Sequence, residues 1–347
     1  MFENKGTTDI GKLGEFGLIE HLTKHFKLKQ SGSVKGAGDD AAIIDFGKKR
    51  ALLSTDLLLE GIHFDLAYTP LKHLGYKAVQ VNLSDIYAMN GMATQILVSI
   101  GISSKFPLEA VEELYEGIRL ACEKYEVDLV GGDTTASRQG LIISITSMGY
   151  ADDADICTRS GAAEGDLICV SGDLGAAYIG LQLLEREKAI FLENPNIQPD
   201  LEGKDYIVER QLKPEARKDI VEALKLLKVK PSSMIDISDG LASEILHICK
   251  QSDKGCRIYE EKIPIDPMTY DTARDFGIDP TVCALNGGED YELLFTIAQA
   301  DYEKIRNNAD ISIIGHITEP GAGCNLISKS DKVHPITAQG WNSLKSD

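Results

Sequence analysis

Basic residues are scarce in this chain: 36 Lys and Arg stand against 54 Asp and Glu, a formal charge of −18. No basic run or basic segment stands out, which argues against a nucleic-acid surface. The same negative excess would repel nucleotides unless metal ions or local arginines intervened. Long apolar runs are missing too. None approaches membrane-spanning length, and Met1-Phe2-Glu3-Asn4 does not read as a signal peptide. The seven cysteines form no CxxC pair, so zinc or a disulfide framework is not expected, and they read as reduced core residues. There is one tryptophan, Trp341, in a polar tail, where it could dock on the protein's own surface or on a ligand. These absences leave a cytoplasmic enzyme. The 347 residues, 43% of them hydrophobic, suffice for two domains with a core each.

What the chain does have is a recurring device: a strand end or small residues leading into an acid. The organising instance is Asp128-Leu129-Val130-Gly131-Gly132-Asp133-Thr134-Thr135, where aliphatic residues suit a buried strand and two glycines permit a tight turn. Taken alone, Gly-Gly-Asp is a turn. The device returns at Gly38-Asp39-Asp40, Ser54-Thr55-Asp56, Ile235-Asp236-Ile237-Ser238-Asp239-Gly240 and Asn286-Gly287-Gly288-Glu289-Asp290, with Asp85 closing Val81-Asn82-Leu83-Ser84. A fold that gathered these carboxylates would need divalent metal, or they would neutralise by protonation.

Spacing of apolar residues predicts a first helix from about Thr8 to Phe26, strands at 41–44 and 51–53, a helix from Pro70 to Met89 stopping at Asn90-Gly91, and a strand at 96–100. A helix from Pro107 to Tyr125 follows, then the Gly131-Gly132-Asp133 strand and a strand at 141–148. Asp39 and Asp40 would point to opposite sides of a strand, one as ligand and the other as cap. The polar stretch Ala151-Asp152-Asp153-Ala154-Asp155 marks the domain boundary, giving domains 1–150 and 151–347. In the second half we expect strands at 167–170, 234–237, 257–263, 291–297 and 312–317. Helices are expected at 214–227, 241–250, 267–276 and 302–307, with 189–204 a loop. Ser171-Gly172-Asp173-Leu174-Gly175 opens another helix and could hold an anion, although it matches no nucleotide-binding fingerprint. Capping explains Asp239 but not Asp236 inside an apolar strand.

Taken together, these segments resemble the thiamine-monophosphate kinase family, of the aminoimidazole-ribonucleotide-synthetase superfamily of ATP-dependent enzymes. Besides the acidic motifs, the resemblance is carried in order by Gly61-Ile62-His63-Phe64, Thr158-Arg159-Ser160-Gly161, Gly287-Gly288-Glu289-Asp290-Tyr291-Glu292-Leu293 and Gly340-Trp341. It covers nearly the whole chain, and its main departure is a longer 189–204 segment. It implies an α/β (α+β) fold of two domains: an N-terminal ATP- and Mg-binding sheet domain that pairs in a homodimer, and a C-terminal α/β domain. It implies Asp40, Ser54, Thr55, Asp56, Asp85, Asp133, Asp236 and Asp239 as ligands of several Mg²⁺ ions. Gly132, Asp133, Arg159, Ser238 and, more remotely, Tyr115 would meet ATP. His63, Glu289 and Trp341 would meet thiamine monophosphate. Asp133, Asp236 and Arg159 would be catalytic. The implied reaction transfers the ATP γ-phosphate directly to thiamine monophosphate. An aminoimidazole-ribonucleotide synthetase shares the frame, but Gly61-Ile62-His63-Phe64 and Trp341 fit the thiamine enzyme better. A non-enzymatic cation binder would account for the acids but not for Arg159 or His63, and there is no EF-hand loop.

Overall fold

A computed structural model describes residues 21–35 and 43–338. Most of the expected first helix, the Asp39-Asp40 pair and Trp341 lie outside the described residues. The chain divides into two compact units, one up to residue 86 with 91–154, the other 87–90 with 155 onward.

In the first unit β1 (Ser33–Lys35) and β2 (Ile43–Ile44) form a small antiparallel pair. The main sheet is built from β3 (Arg50–Leu59), β4 (Met92–Ile102), β5 (Asp128–Ala136) and β6 (Ile142–Ala151), in the order β3-β6-β4-β5. Only β4 and β5 run parallel, so β3 and β5 are the two edges. Strand alternation puts Ile96, Val98, Ile100, Ile143 and Ile145 on one face, all nearly inaccessible. The opposite face is open: Leu53 is 63% and Leu57 51% exposed.

The covered face carries α1 (Leu71–Ala88) and, beyond the turn at Asn90, the chain enters β4. Asn90 takes φ +56 and Gly91 N–H reaches the Ile86 carbonyl, which ends the helix where the Asn-Gly pair predicts. Helix α2 (Leu108–Tyr125) crosses α1 at two glycines. A Cβ on Gly75 would lie 1.9 Å from the Leu114 carbonyl oxygen, and one on Gly117 equally close to that of Lys72. Backbone therefore meets backbone there, which fixes the helix that carries Asp85.

The second unit is a seven-stranded sheet: β7 (Leu167–Ser171), β8 (Ser233–Asp236), β9 (Gly255–Tyr259), β10 (Leu293–Ile297), β11 (Ile311–Thr318), β12 (Cys324–Ile327) and β13 (Val333–Pro335), in the order β13-β12-β9-β11-β7-β10-β8. Only the β12–β9 pair is parallel. Its helices are α3 (Ala176–Glu193), α4 (Asp205–Leu212), α5 (Lys218–Leu226), α6 (Leu241–Ser252), α7 (Pro267–Asp275), α8 (Pro280–Asn286) and α9 (Tyr302–Ile305).

Several boundaries differ from expectation. The segment 189–204 is not all loop, because α3 runs on to Glu193; nothing breaks it before Asn194-Pro195. The helix expected from Pro214 starts at Lys218, and α4 was not expected at all. Strand β9 stops at Tyr259, where Glu260–Lys262 make a 3₁₀ turn.

An ion network sits under one loop of this unit. Asp290 and Glu292 are wholly buried. Arg210 Nη1 donates to Glu292 Oε1 at 2.9 Å, and Arg217 Nη1 donates to Glu292 Oε2 at 2.5 Å. Ser171 Oγ donates to the same Oε2. Gly175 N–H donates to Asp290 Oδ2 at 2.9 Å, so the amide that could have met an anion is already engaged. Burial drives the Asp290 carboxyl up to about 7, with Arg210 and the Gly175 amide pulling against it. Removing one partner from such a set leaves an uncompensated buried charge, which costs about 3–5 kcal/mol. Arg210→Ala is therefore expected to lower the unfolding free energy read from urea titration by that amount, with a correspondingly lower midpoint. A midpoint equal to wild type would show that the network contributes nothing to folding.

Candidate active site

Two groups of acids lie in the described residues, one in each unit. In the first unit, β3 and α1 bring together Ser54, Asp56, Asn82 and Asp85. Ser54 Oγ donates to Asp85 Oδ2. Asp56 N–H donates to Asn82 Oδ1 at 2.9 Å, while Asn82 Nδ2 donates to the Ala78 carbonyl and its own carbonyl accepts from Ser147 Oγ. Asn82 is completely buried. A fully satisfied asparagine inside a helix thus clamps an edge strand and sets Asp56 beside Asp85. Sequence reasoning quoted Asn82 without giving it a role. Its signal was a polar residue in an apolar helix, three positions before an acid on the same face.

Burial, and next the charge of Asp85, push the Asp56 carboxyl up to about 6. Two carboxylates and a hydroxyl form a set of hard oxygen donors, which suits Mg²⁺.

Thr55 does not join this group. Strand alternation turns it to the open face, where Thr55 Oγ1 donates to the Ile145 carbonyl at 3.0 Å and accepts from Thr146. Asp133 is on that open face as well: Asp133 pairs with Ser99, Ser99 with Ser144, and Ser144 with Leu57. Directly opposed residues share a face. Asp56 and Asp133 therefore stand on opposite edges and faces of one sheet, three strand spacings or about 14 Å apart. Beside Asp133, a Cβ on Gly132 would lie 1.8 Å from the Val98 carbonyl oxygen, so only glycine fits. Asp128, which opens β5, is buried and accepts from the Lys29 and Gln30 amides at 2.6 and 2.9 Å, an anchor for the preceding chain.

His63 follows β3 in the turn begun by Gly61 at φ +82. Its Nδ1 accepts from Leu59 N–H at 3.0 Å, which leaves the proton of the neutral ring on Nε2. Tyr115 is a core residue of α2, 7% exposed, and burial pushes its hydroxyl up to about 12. That leaves little surface with which to meet a base, so the structure does not favour it as an adenine contact.

In the second unit the corner between β8 and α6 presents Asp236, Ser238 and Asp239. Gly240 makes the corner at φ +117, where a Cβ would lie 2.6 Å from the Leu285 carbonyl oxygen. The 287–291 loop is laced onto it: Glu289 N–H donates to the Ser238 carbonyl at 2.7 Å and Tyr291 N–H to that of Ile237 at 2.9 Å. Glu289 and Tyr291 both hold left-handed backbone, φ +61 and +52, an uncommon and costly conformation for such residues. The buried network beneath keeps them there.

Burial raises the Asp239 carboxyl; Glu289 adds to the rise, while His247 and Arg159 oppose it. Arg159, exposed on the segment that pairs with the start of β8, is thus within electrostatic reach of Asp239. Glu244 was missed. It is 2% exposed on α6, and its Oε1 accepts from Asp239 N–H at 3.2 Å. Its Oε2 has no hydrogen-bond partner. Burial, then the charges of Asp239 and Asp236, push Glu244 up to about 8, against the pull of backbone amides. The orphaned oxygen and the surrounding acids again fit a divalent cation. An acid one turn into a helix reads as a first-turn charge, which is why sequence alone hid it.

Comparison with known proteins agrees with these motifs. Residues 38–151 match the family model of the AIR synthase related protein, N-terminal domain. The thiamine-monophosphate kinase of Buchnera aphidicola subsp. Schizaphis graminum is 37% identical over 92% of this chain and 95% of its own. That of Bacillus subtilis is 31% identical over 96% and 100%. A solved structure described as AaThiL complexed with AMPPCP and TMP superposes with a TM-score of 0.73 at 32% identity, covering 98% of this chain and 100% of that one. With that identity sustained across almost all of both chains, this chain belongs to the thiamine-monophosphate kinase family.

Proposed function

We infer that this protein transfers the γ-phosphate of ATP to thiamine monophosphate, giving thiamine diphosphate and ADP. The observation that carries this reading is the pairing of family membership with two groups of half-buried acids, Asp56 with Asp85 and Asp236 with Asp239 and Glu244. The acceptor is a phosphate oxygen already ionised at neutral pH, so no strong general base is required. A terminal oxygen of thiamine monophosphate attacks the γ-phosphorus. One P–O bond forms, the bond to the β-bridging oxygen breaks, and ADP leaves with that electron pair. The obstacle is repulsion between two anions, and bound Mg²⁺ would neutralise the phosphates and stabilise the transferring group.

The residues divide the work. Ser54, Asp56 and Asp85 of the first unit, and Asp236 and Asp239 of the second, would hold magnesium, with Asp40 added from the family motif and Thr55 through its backbone. Glu244 supports the second group by fixing the Asp239 amide. Arg159, beside Asp239, would bind phosphate oxygens and spread the charge of the transferring group. Gly132 and Ser238 would admit the nucleotide closely. The Nε2–H of His63 would donate to the acceptor phosphate, and Glu289 would face the cationic thiazolium ring, with Trp341 against its face. No described helix is long and apolar enough to cross a membrane. The seven cysteines are free, which fits a reducing cytoplasm.

The active form would be a homodimer. An ion held by Asp56 and Asp85 is beyond direct reach of Asp133 in the same unit, and the exposed Leu53 and Leu57 offer a sheet face for a second copy. In this arrangement Asp133 serves the site of the other protomer.

Three measurements test the reading. Thiamine diphosphate is expected to form from thiamine monophosphate, ATP and Mg²⁺ and to vanish with EDTA; consumption of ATP only with an aminoimidazole-ribonucleotide precursor would overturn the function. Asp56→Asn and Asp133→Asn are each expected to be nearly inactive alone, while co-expressed chains recover one intact site per heterodimer. A mixed dimer as dead as its parents would place both residues in the same protomer's site. Finally, the folded state holds a proton on Asp56 up to about pH 6, where the unfolded chain has lost it. Its contribution to the stability of metal-free protein is thus present at low pH and lost as pH rises through about 6. Relative to Asp56→Asn, wild type is expected to lose stability between about pH 4 and 7 without Mg²⁺. Parallel curves for the two proteins would refute this.

A further inference from the structure

Three of the seven cysteines converge, although they are far apart in sequence. The sulfurs of Cys249, Cys256 and Cys324 all lie within 4.8 Å of one another. Cys249 comes from α6. Cys256 and Cys324 are register partners on the parallel strands β9 and β12. Cys249 and Cys256 are fully enclosed, and Cys324 is half-buried, which leaves one way in. Backbone bonds fix the two strand positions: Cys256 N–H donates to the Gly323 carbonyl at 3.1 Å, and Ile336 N–H to that of Cys324 at 2.9 Å. The surroundings are apolar, including Ile245, Ile248, Ile258 and Ile317.

We propose that these three thiols form a binding site for one thiophilic ion of three-coordinate preference, of the arsenic(III) class. Soft thiolates select soft ions. Zinc in a closed site takes four ligands at about 2.3 Å for sulfur, and among the described residues no His, Asp or Glu completes this group. Charge narrows the choice further. Copper(I) on three thiolates would leave two negative charges in an apolar core, where unpaired charge is heavily penalised, and no described cationic side chain acts on the three thiols, whose partners are one another and the Cys256 amide. An arsenic(III) tris-thiolate is neutral. It forms from arsenous acid by exchange: three S–H protons leave with three hydroxyls as water, three As–S bonds replace three As–O bonds, and nothing is oxidised or reduced. The other enclosed cysteines, such as Cys122, Cys169 and Cys283, belong to no such group.

The test uses the full-length reduced protein. Arsenite is added, excess is removed by desalting, and the intact mass is read. The expected product gains one arsenic and loses three hydrogens, and peptide mapping after alkylation of the folded protein finds the half-buried Cys324 modified without arsenite and protected with it. Cys324→Ser, at the half-buried position, is expected to lose arsenic retention while keeping thiamine monophosphate kinase activity. Retention unchanged in Cys324→Ser, no retained arsenic in wild type, or copper(I) retained where arsenite is not would each overturn the assignment. Protection mapping on wild type keeps the test decisive if the variant fails to fold. Loss of kinase activity in wild type without arsenic would instead count against the functional reading, not against this site.

Discussion

Like charge crowded into half-buried corners is the constraint on which the structure turns. Asp56 lies beside Asp85, and Glu244 lies near Asp239 and Asp236; in each place burial is the larger cause of the raised pKa and a neighbouring carboxylate adds to it. A fold does not hold such groups together for stability, since each would be more stable apart in water. They are held by other bonds. In the first unit the clamp is Asn82, fully satisfied and fully enclosed. In the second it is the lacing of the 287–291 loop onto 237–239, backed by Arg210 and Arg217. The rigid elements absorb the repulsion, and in the proposed reaction a bound cation would relieve it.

The same arrangement explains why two acids of one motif have unlike fates. In Gly287-Gly288-Glu289-Asp290-Tyr291-Glu292, the positive φ values at Gly288, Glu289 and Tyr291 twist successive side chains apart. Asp290 and Glu292 go inward to the arginines, and Glu289 is left facing Asp239. The left-handed backbone at Glu289 is flanked by ion pairs one and three residues away, at Asp290 and Glu292. The acidic motif thus has one outward acid, proposed above for the substrate, and two structural supports.

Much of this was legible beforehand. The Asn90-Gly91 stop can be read because it depends on local chemistry, whereas Asp56 and Asp133, which read as strand-end acids, lie inside β3 and β5. The hidden parts depend on register. Ser54, Thr55 and Asp56 read as one cluster, but strand alternation sends Thr55 to the other face. Asp133 reads as a companion of Asp56, yet strand order puts the two on opposite edges. Glu244 and Asn82 each look like an ordinary helix position until the packed neighbour is known. The three-thiol group was invisible because residues 249, 256 and 324 meet only through the β9–β12 pairing. Helix α4 and the full length of α3 were obscured by the polar 194–204 segment, whose turn residues drew the loop boundary too early.

The opposite placement of Asp56 and Asp133 bears on why the family's sheet domain would pair at all. A four-stranded sheet with one covered face and one open, mixed face is incompletely buried, since Leu53 and Leu57 stay in water. Its acids are incomplete in the same sense, because an ion bound on the covered face leaves Asp133 unused. A second copy laid on the open face would answer both needs with one contact, burying the leucines and bringing a new acid to each site. Metal binding and association would then be linked: whatever stabilises the ion-filled site also favours the pair, and an isolated protomer would lack both.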